Sequence, residues 1–195
     1  MSTPAVMRTM TTFTSAADVV TKDAIEKVNQ VQTDVEIKKT PDGRGWGLYA
    51  RKGRTIQPGH RVFRGKGLSK SNKRCVHSVQ TSWEEHTIMD LPAILVNHSC
   101  DANLGIKKND IGAYDFYAIK PIASGEEFLW DYETVEAEIS GWKCTCGTAK
   151  CRGHLKGFQA HGPQILENYG EEYVAPYLLN KEDSEDEENH AAASN

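Results

Sequence analysis

The chain has 195 residues, 38% of them apolar, and a formal net charge of −4, which suits one globular domain with short appendages. No apolar run approaches the roughly 20 residues of a membrane-spanning helix, and no basic stretch in the first 30 residues leads into an apolar one, so neither a membrane partner nor a secretory signal is expected. Lys181 to Glu188 carries one lysine and six acids; removed from the 23 basic and 27 acidic residues of the chain, they leave 22 and 21, so the body stands at +1 and strong direct nucleic-acid binding is not expected.

Residues 1–13 combine Ser, Thr, Met and Pro without period and read as irregular. Ser15 to Val31 reads as one helix: Val20, Ala24, Val28 and Val31 recur at helical spacing with Ile25 alongside, and Thr14 or Ser15 can cap it. Residues 1–33 thus read as a partly helical extension. From Asp34 the pattern changes to short alternating runs cut by Gly, Pro or Asn. Val35–Lys38, Leu48–Ala50, Arg61–Phe63 and Tyr114–Ile119 read as strands, with turns at Pro41-Asp42-Gly43, Gln57-Pro58-Gly59, Lys108-Asn109-Asp110 and Ala123-Ser124-Gly125. Ser82–Met89 reads as a short helix. Gly162-Pro163 opens a last helical stretch with Ile165, Leu166 and Tyr169 inward, Gly170 ends it, and Tyr173–Leu179 forms another turn or two. Residues 181–195 read as a disordered acidic tail. The expected class is mostly β (α+β), with helices flanking at both ends.

Four of the five cysteines fall in two clusters, leaving Cys75 spare. Cys144, Cys146 and Cys151 place three thiols within eight residues, one short of a tetrahedral zinc site, and Cys100 is the best candidate for the fourth. Cys144 and Cys146 are two apart and do not share a helix face, so an extended or looped backbone is expected there. Free thiols or a disulfide are the alternatives, the latter poorly supported without a secretory signal. Four cysteine ligands leave no open position, so such a metal is structural.

Four blocks, in order, resemble the SET-domain lysine methyltransferases with a post-SET zinc motif. Gly43-Arg44-Gly45-Trp46-Gly47-Leu48-Tyr49-Ala50 resembles the first glycine-rich motif. Asn97-His98-Ser99-Cys100 with Asn103 resembles the Asn-His-Ser-Cys-x-x-Asn signature. Ile122 through Tyr132 resembles the strand and turn that end in Asp-Tyr, and Cys144 through Leu155, with its Cys-Arg-Gly, resembles post-SET. The resemblance covers about residues 34–158. It implies a SET fold of short β-sheets with a C-terminal pseudoknot, an SET domain over 34–135, a post-SET zinc loop over 141–157 and a C-terminal helical segment over 158–180.

It also implies roles. S-adenosylmethionine would lie against the backbone of Arg44, Gly45, Trp46 and Gly47, with Trp46 beside it. Asn97 and His98 would hydrogen-bond the donor, and Leu155 would cover its adenine. Tyr132 would be the catalytic tyrosine, its hydroxyl near the transferring methyl. One structural zinc would be held by Cys100, Cys144, Cys146 and Cys151. Trp130, Phe63 and Tyr117 would line the substrate lysine channel. The implied reaction is direct in-line transfer to a lysine of a protein, a histone tail being one candidate, inside the cell, in nucleus or cytoplasm.

The chain departs from the pattern on the substrate side. Trp130 stands where most members carry Phe or Tyr, at a position that helps set how many methyls are added. Phe63 replaces a frequent channel tyrosine. Gly67 to Leu95 is short where a longer insert usually walls the peptide groove, and the arginine common before Asn97 is missing. Two alternatives therefore stay open: an N-methyltransferase for a non-protein amine or peptide, and a non-catalytic SET-derived interaction module.

Overall fold

The computed structural model describes residues 15–180. The irregular first 13 residues and the acidic tail lie outside the described residues.

The described residues open with two short helices, α1 (Ala16–Val19) and α2 (Lys22–Val31). The single helix expected here is broken at Val20-Thr21. Thr21 adopts an extended backbone and its side chain accepts from the Ala24 N–H, so it caps a new helix instead of continuing the old one. Only Ile25 is fully buried, and the Asn29 side chain bonds both backbone groups of Ile37, docking α2 on the first strand.

Twelve strands follow in chain order: β1 (Val35–Lys39), β2 (Trp46–Ala50), β3 (Arg61–Arg64), β4 (Gly67–Ser71), β5 (Ser78–Gln80), β6 (His86–Met89), β7 (Asn97–His98), β8 (Leu104–Lys108), β9 (Tyr114–Ala118), β10 (Leu129–Trp130), β11 (Trp142–Lys143) and β12 (His154–Leu155). They form four small sheets: the β1–β2 hairpin, a five-stranded sheet in the order β3-β9-β8-β10-β7, a three-stranded sheet in the order β4-β6-β5, and the β11–β12 pair. The architecture is mostly β with short helices at both ends. Alternation places Val35, Ile37, Leu48, Phe116, Leu104, Ile106 and Phe128 in one core, each at most 2% exposed. Truncating a phenyl ring such as Phe128 to alanine in such a core costs about 3–5 kcal/mol.

Ser82–Met89, expected to be helical, contains strand β6. Thr87 and Ile88 are β-branched, and β6 pairs antiparallel with both β4 and β5, a tertiary arrangement that outweighs the local pattern. The short segment between Gly67 and Leu95 is therefore a sheet of its own.

Strand β10 runs parallel to both β7 and β8 and lies between them. The chain that leaves β10 is then gripped by parts far earlier in sequence. Glu136 accepts from the Gln80 N–H at 3.0 Å, and the Ala137 N–H donates to Gln80 Oε1 at 2.9 Å. The Tyr177 hydroxyl closes on the Val135 carbonyl from the C-terminal side. This arrangement brings Asn97-His98 beside Tyr132.

The last helix, α3 (Phe158–Tyr169), begins before the Gly162-Pro163 pair instead of at it. Gly157 at its N-cap and the bonds from Phe158 and Gln159 N–H to Glu136 and Ala137 carbonyls start it early. Gly170 ends it, and two 3₁₀ turns, Glu171–Tyr173 and Pro176–Leu179, complete the described chain.

Candidate active site

A cleft of about 500 Å³ opens where the β1–β2 turn, the segment entering β7, the turn after β10 and strand β11 meet. That volume lies within the roughly 300–1,000 Å³ of small-molecule sites. Arg44, Gly45, Trp46, Asn97, Trp130 and Tyr132 line it. Gly45 sits at φ +114°, a backbone region that favours glycine. Gly47 lies behind the cleft wall: a Cβ there would stand 2.8 Å from Glu127 Oε1 and 3.1 Å from Asn97 Nδ2.

Those two neighbours order the wall. Asn97 Nδ2 donates to the Trp46 carbonyl at 3.1 Å and to Glu127 Oε1 at 2.9 Å. Both partners are acceptors, so the amide orientation is fixed and Oδ1 is left as an acceptor. Arg44 donates to Glu127 Oε2 at 2.7 Å and to Asp42 at 2.6 Å, and its guanidinium holds the Asp42 carboxyl down at about 2. Glu127 thus ties the glycine-rich turn to β7, and the acidic pair Glu126-Glu127 is structural. Its partner Glu126 accepts from Asn103 Nδ2 at 3.1 Å.

Tyr132 is held at both ends. Its hydroxyl donates to the Val96 carbonyl at 2.8 Å, and its N–H lies 3.3 Å from His98 Nδ1. Burial pushes the hydroxyl well above its usual range, so it stays protonated at neutral pH. His98, Trp130 and Trp142 surround the ring at centroid distances of 5.1, 5.1 and 5.5 Å. The Trp130 indole N–H donates to Thr134 Oγ1 at 2.9 Å, so it holds a protein group and not a water, and the ring stands edge-on to Phe116.

Other expected residues lie elsewhere. His98 does not line the cleft; burial keeps its imidazole below the usual value, and Nε2 lies 3.4 Å from Cys100 Sγ. Phe63 stacks on Phe116 at 4.7 Å in the core, because β3 pairs with β9 there. Tyr117 alternates away from Phe116 along β9, and the Lys107 amine lies 5.1 Å from its ring. Leu155 is 2% exposed and packs with Cys100, Ile139 and Cys144. Its cross-strand partner Trp142 reaches the cleft instead. No sequence pattern marks Trp142, whose place in the cleft follows from its packing against Tyr132. Arg74 and Glu136 also line the cleft, paired at 3.2 Å, with Arg74 above the Trp142 ring at 5.8 Å.

Cys100, Cys144, Cys146 and Cys151 converge, with all four sulfurs within 4.8 Å of one another and Cys100 and Cys144 at 3.6 Å. Tetrahedral ligands each about 2.3 Å from a zinc ion stand about 3.8 Å apart, so the spacing fits that ion. Burial, with the neighbouring Cys146 and Cys151 thiols adding to it, pushes the Cys144 thiol up to about 11, a cost that a central cation would reverse.

A mostly β fold with a cleft beside a four-cysteine cluster defines the class. A family model described as SET domain matches residues 20–133, more than half of the chain, and the chain belongs to the SET-domain family. Among curated proteins, it is 27% identical over 144 residues to histone-lysine N-methyltransferase SETD2 of Homo sapiens, covering 64% of this chain and 6% of that protein. It is 35% identical over 85 residues to the H3 lysine-9 specific histone-lysine N-methyltransferase dim-5 of Neurospora crassa, covering 34% of this chain and 26% of that protein. The chain thus spans a small part of these relatives. A crystal structure of KRYPTONITE in complex with mCHG DNA and SAH shares the fold, at a TM-score of 0.50 and 20% identity over 62% of this chain and 28% of that one.

Proposed function

We propose that this chain is an S-adenosylmethionine-dependent lysine N-methyltransferase acting on a protein, with a histone tail as the first candidate substrate. The observation that carries the reading is the Tyr132 hydroxyl, buried in the cleft beside Trp46 and Asn97 with its proton committed to the Val96 carbonyl. The names of the curated relatives and the SAH of the structural neighbour support it.

The donor supplies an activated methyl on a sulfonium. The chain supplies alignment and a polar surround. Asn97 Oδ1 would accept from the donor's amine, the Arg44–Trp46 backbone would carry its methionine part, and Trp46 and Trp142, which line the same cleft, would supply apolar surface for its base. Tyr132, neutral and with its proton directed at Val96, turns oxygen lone pairs toward the reacting centre. The target lysine loses its proton on entering an apolar channel near a cation, both of which lower its pKa. Transfer is direct and in line, with no covalent enzyme intermediate. Trp130, its N–H occupied, narrows the channel.

Cys100, Cys144, Cys146 and Cys151 hold one structural zinc. We assign residues 34–135 to the SET domain, 141–157 to the zinc loop and 158–180 to a C-terminal helical segment. A nuclear or cytoplasmic location follows from the substrate class; among the described residues, no helix is long and apolar enough to cross a membrane. The near-neutral body argues against strong direct nucleic-acid binding.

The test is incubation with a methyl-labelled donor, core histones and a mixed protein extract, followed by mass spectrometry. Label on lysine side chains is expected. Label on free amines only, or none, overturns the reading.

A further inference from the structure

Within the Cys-Arg-Gly run, the metal reading uses Cys151 and leaves Arg152 without a task. Its side chain is 3% exposed. Nη2 lies 2.6 Å from Asp131 Oδ1, and Nε lies 2.5 Å from Glu133 Oε2. Both carboxylates are completely buried, and they are the two residues that flank Tyr132. The Arg152 backbone N–H reaches Cys100 Sγ at 3.5 Å. One residue therefore touches the cysteine cluster through its main chain and both sides of Tyr132 through its side chain.

This cluster is poorly built for stability alone. Desolvating an arginine and two carboxylates is expensive, and a buried ion pair is weak evidence of a stabilising role. Arg152 Nε and Nη1 and Asp131 Oδ2 are buried without a hydrogen-bond partner among the described residues, so the close Nε–Glu133 contact is an ion pair and not a directed hydrogen bond. What the cluster does supply is direction. The rigid planar guanidinium donates one hydrogen bond to Asp131 and lies as an ion pair against Glu133, so a single fixed cation stands between the two carboxylates and sets them relative to each other. Asp131 in turn accepts the Glu133 N–H and caps the 3₁₀ turn Tyr132–Thr134. Glu133 also accepts the Lys156 and Gly157 N–H groups and meets His161 Nδ1 at 2.9 Å, anchoring the same turn to the start of α3. Without that cation, two buried like charges two residues apart repel, and the turn carrying Tyr132 loses its reference.

We propose that Arg152 is the positioning residue for Tyr132, transmitting the order of the cysteine loop to the catalytic turn. The proposal rests on the methyltransferase reading above. Arg152→Lys keeps the charge but, as a compact point charge on a flexible stem, does not meet both carboxylates from one rigid group. The experiment measures kcat, donor KM and bound metal for wild type, Arg152→Lys, Tyr132→Phe and the double variant. A misplacement of about 1 Å costs roughly 100-fold in rate. Arg152→Lys should therefore lower kcat by about that factor, with donor KM within about threefold of wild type and metal content unchanged. On the Tyr132→Phe background it should cost no more than about twofold further, because it acts through the hydroxyl that is already gone. Equal losses on both backgrounds, unchanged kcat, or a loss that tracks lost metal overturns the proposal. If Arg152→Lys fails to fold, Asp131→Asn is measured the same way, and additivity with Tyr132→Phe overturns it there. A wild type that turns over beside an unaffected Arg152→Lys refutes this proposal alone. A wild type without turnover refutes the parent reading and this proposal together.

Discussion

Replacing Glu127 by glutamine perturbs the cleft wall without changing its volume. The carboxylate, 14% exposed, receives Asn97 Nδ2 at 2.9 Å on one oxygen and Arg44 Nη2 at 2.7 Å on the other. An amide offers one acceptor oxygen and one NH₂, so one of the two donors must face another donor. Hydrogen bonds to charged groups contribute about 1.5–3 kcal/mol each. Arg44 keeps Asp42 as a partner, so part of its loss is recovered. The net cost should be about 2 kcal/mol, equivalent to a fall of roughly 4–8 °C in melting temperature for a chain of this size. Asn97 also loses one of two bonds that aim its Oδ1, which should weaken binding of the demethylated donor by about tenfold, or 1.4 kcal/mol. Thermal melts and titration calorimetry with S-adenosylhomocysteine read both. Affinity within about twofold of wild type, inside the error of independent sites, would refute the assignment of this wall to the donor.

Three further outcomes are expected. Chelating the metal should expose Lys143, Lys150, Arg152 and Lys156 to trypsin while the body stays resistant; unchanged protection of residues 141–157 would contradict a structural zinc. Trp130→Phe should shift the mass-spectrometric product distribution toward more highly methylated lysine, because the ring that narrows the cleft becomes smaller; an identical distribution would contradict that role. Glu136→Gln should change the pH dependence of stability. Burial raises the Glu136 carboxyl above its ordinary 4.5, with Arg74 and the Gln80 N–H only partly offsetting it. The folded state then binds more protons than the unfolded one above that value, so the wild type should lose stability relative to the variant as pH rises from about 4.5 through the folded pKa. Denaturation midpoints across that range decide it, and a relative gain by the wild type would mean that the Arg74 pair outweighs desolvation.

The features legible in the sequence were those set by short-range chemistry. The β1–β2 hairpin follows from alternation around a Pro-Asp-Gly turn, and the cysteine cluster from the spacing of three thiols that need a fourth. Features set by long-range pairing were hidden. Ser82–Met89 becomes strand only because β4 and β5 flank it. Leu155 packs among the cysteines while its cross-strand partner Trp142 lines the cleft, and only the tertiary packing around the β11–β12 pair decides this. Phe63 stacks on Phe116 because β3 pairs with β9, and Tyr117 turns to the opposite face of β9; no local signal says which of these positions meets the cleft. The break at Thr21 could have been read, since a threonine two residues before Asp23, which sits in the first helical turn, is an N-cap pattern.

The central claim is that Tyr132 serves methyl transfer to lysine from the cleft. Wild type and Tyr132→Phe should be compared for lysine methylation of core histones and for calorimetric binding of S-adenosylhomocysteine. Removing one oriented polar group at a reacting centre costs about 10²–10³ in kcat, so the variant should lose at least that much turnover while its affinity stays close to wild type. Undiminished lysine methylation by Tyr132→Phe would contradict the account.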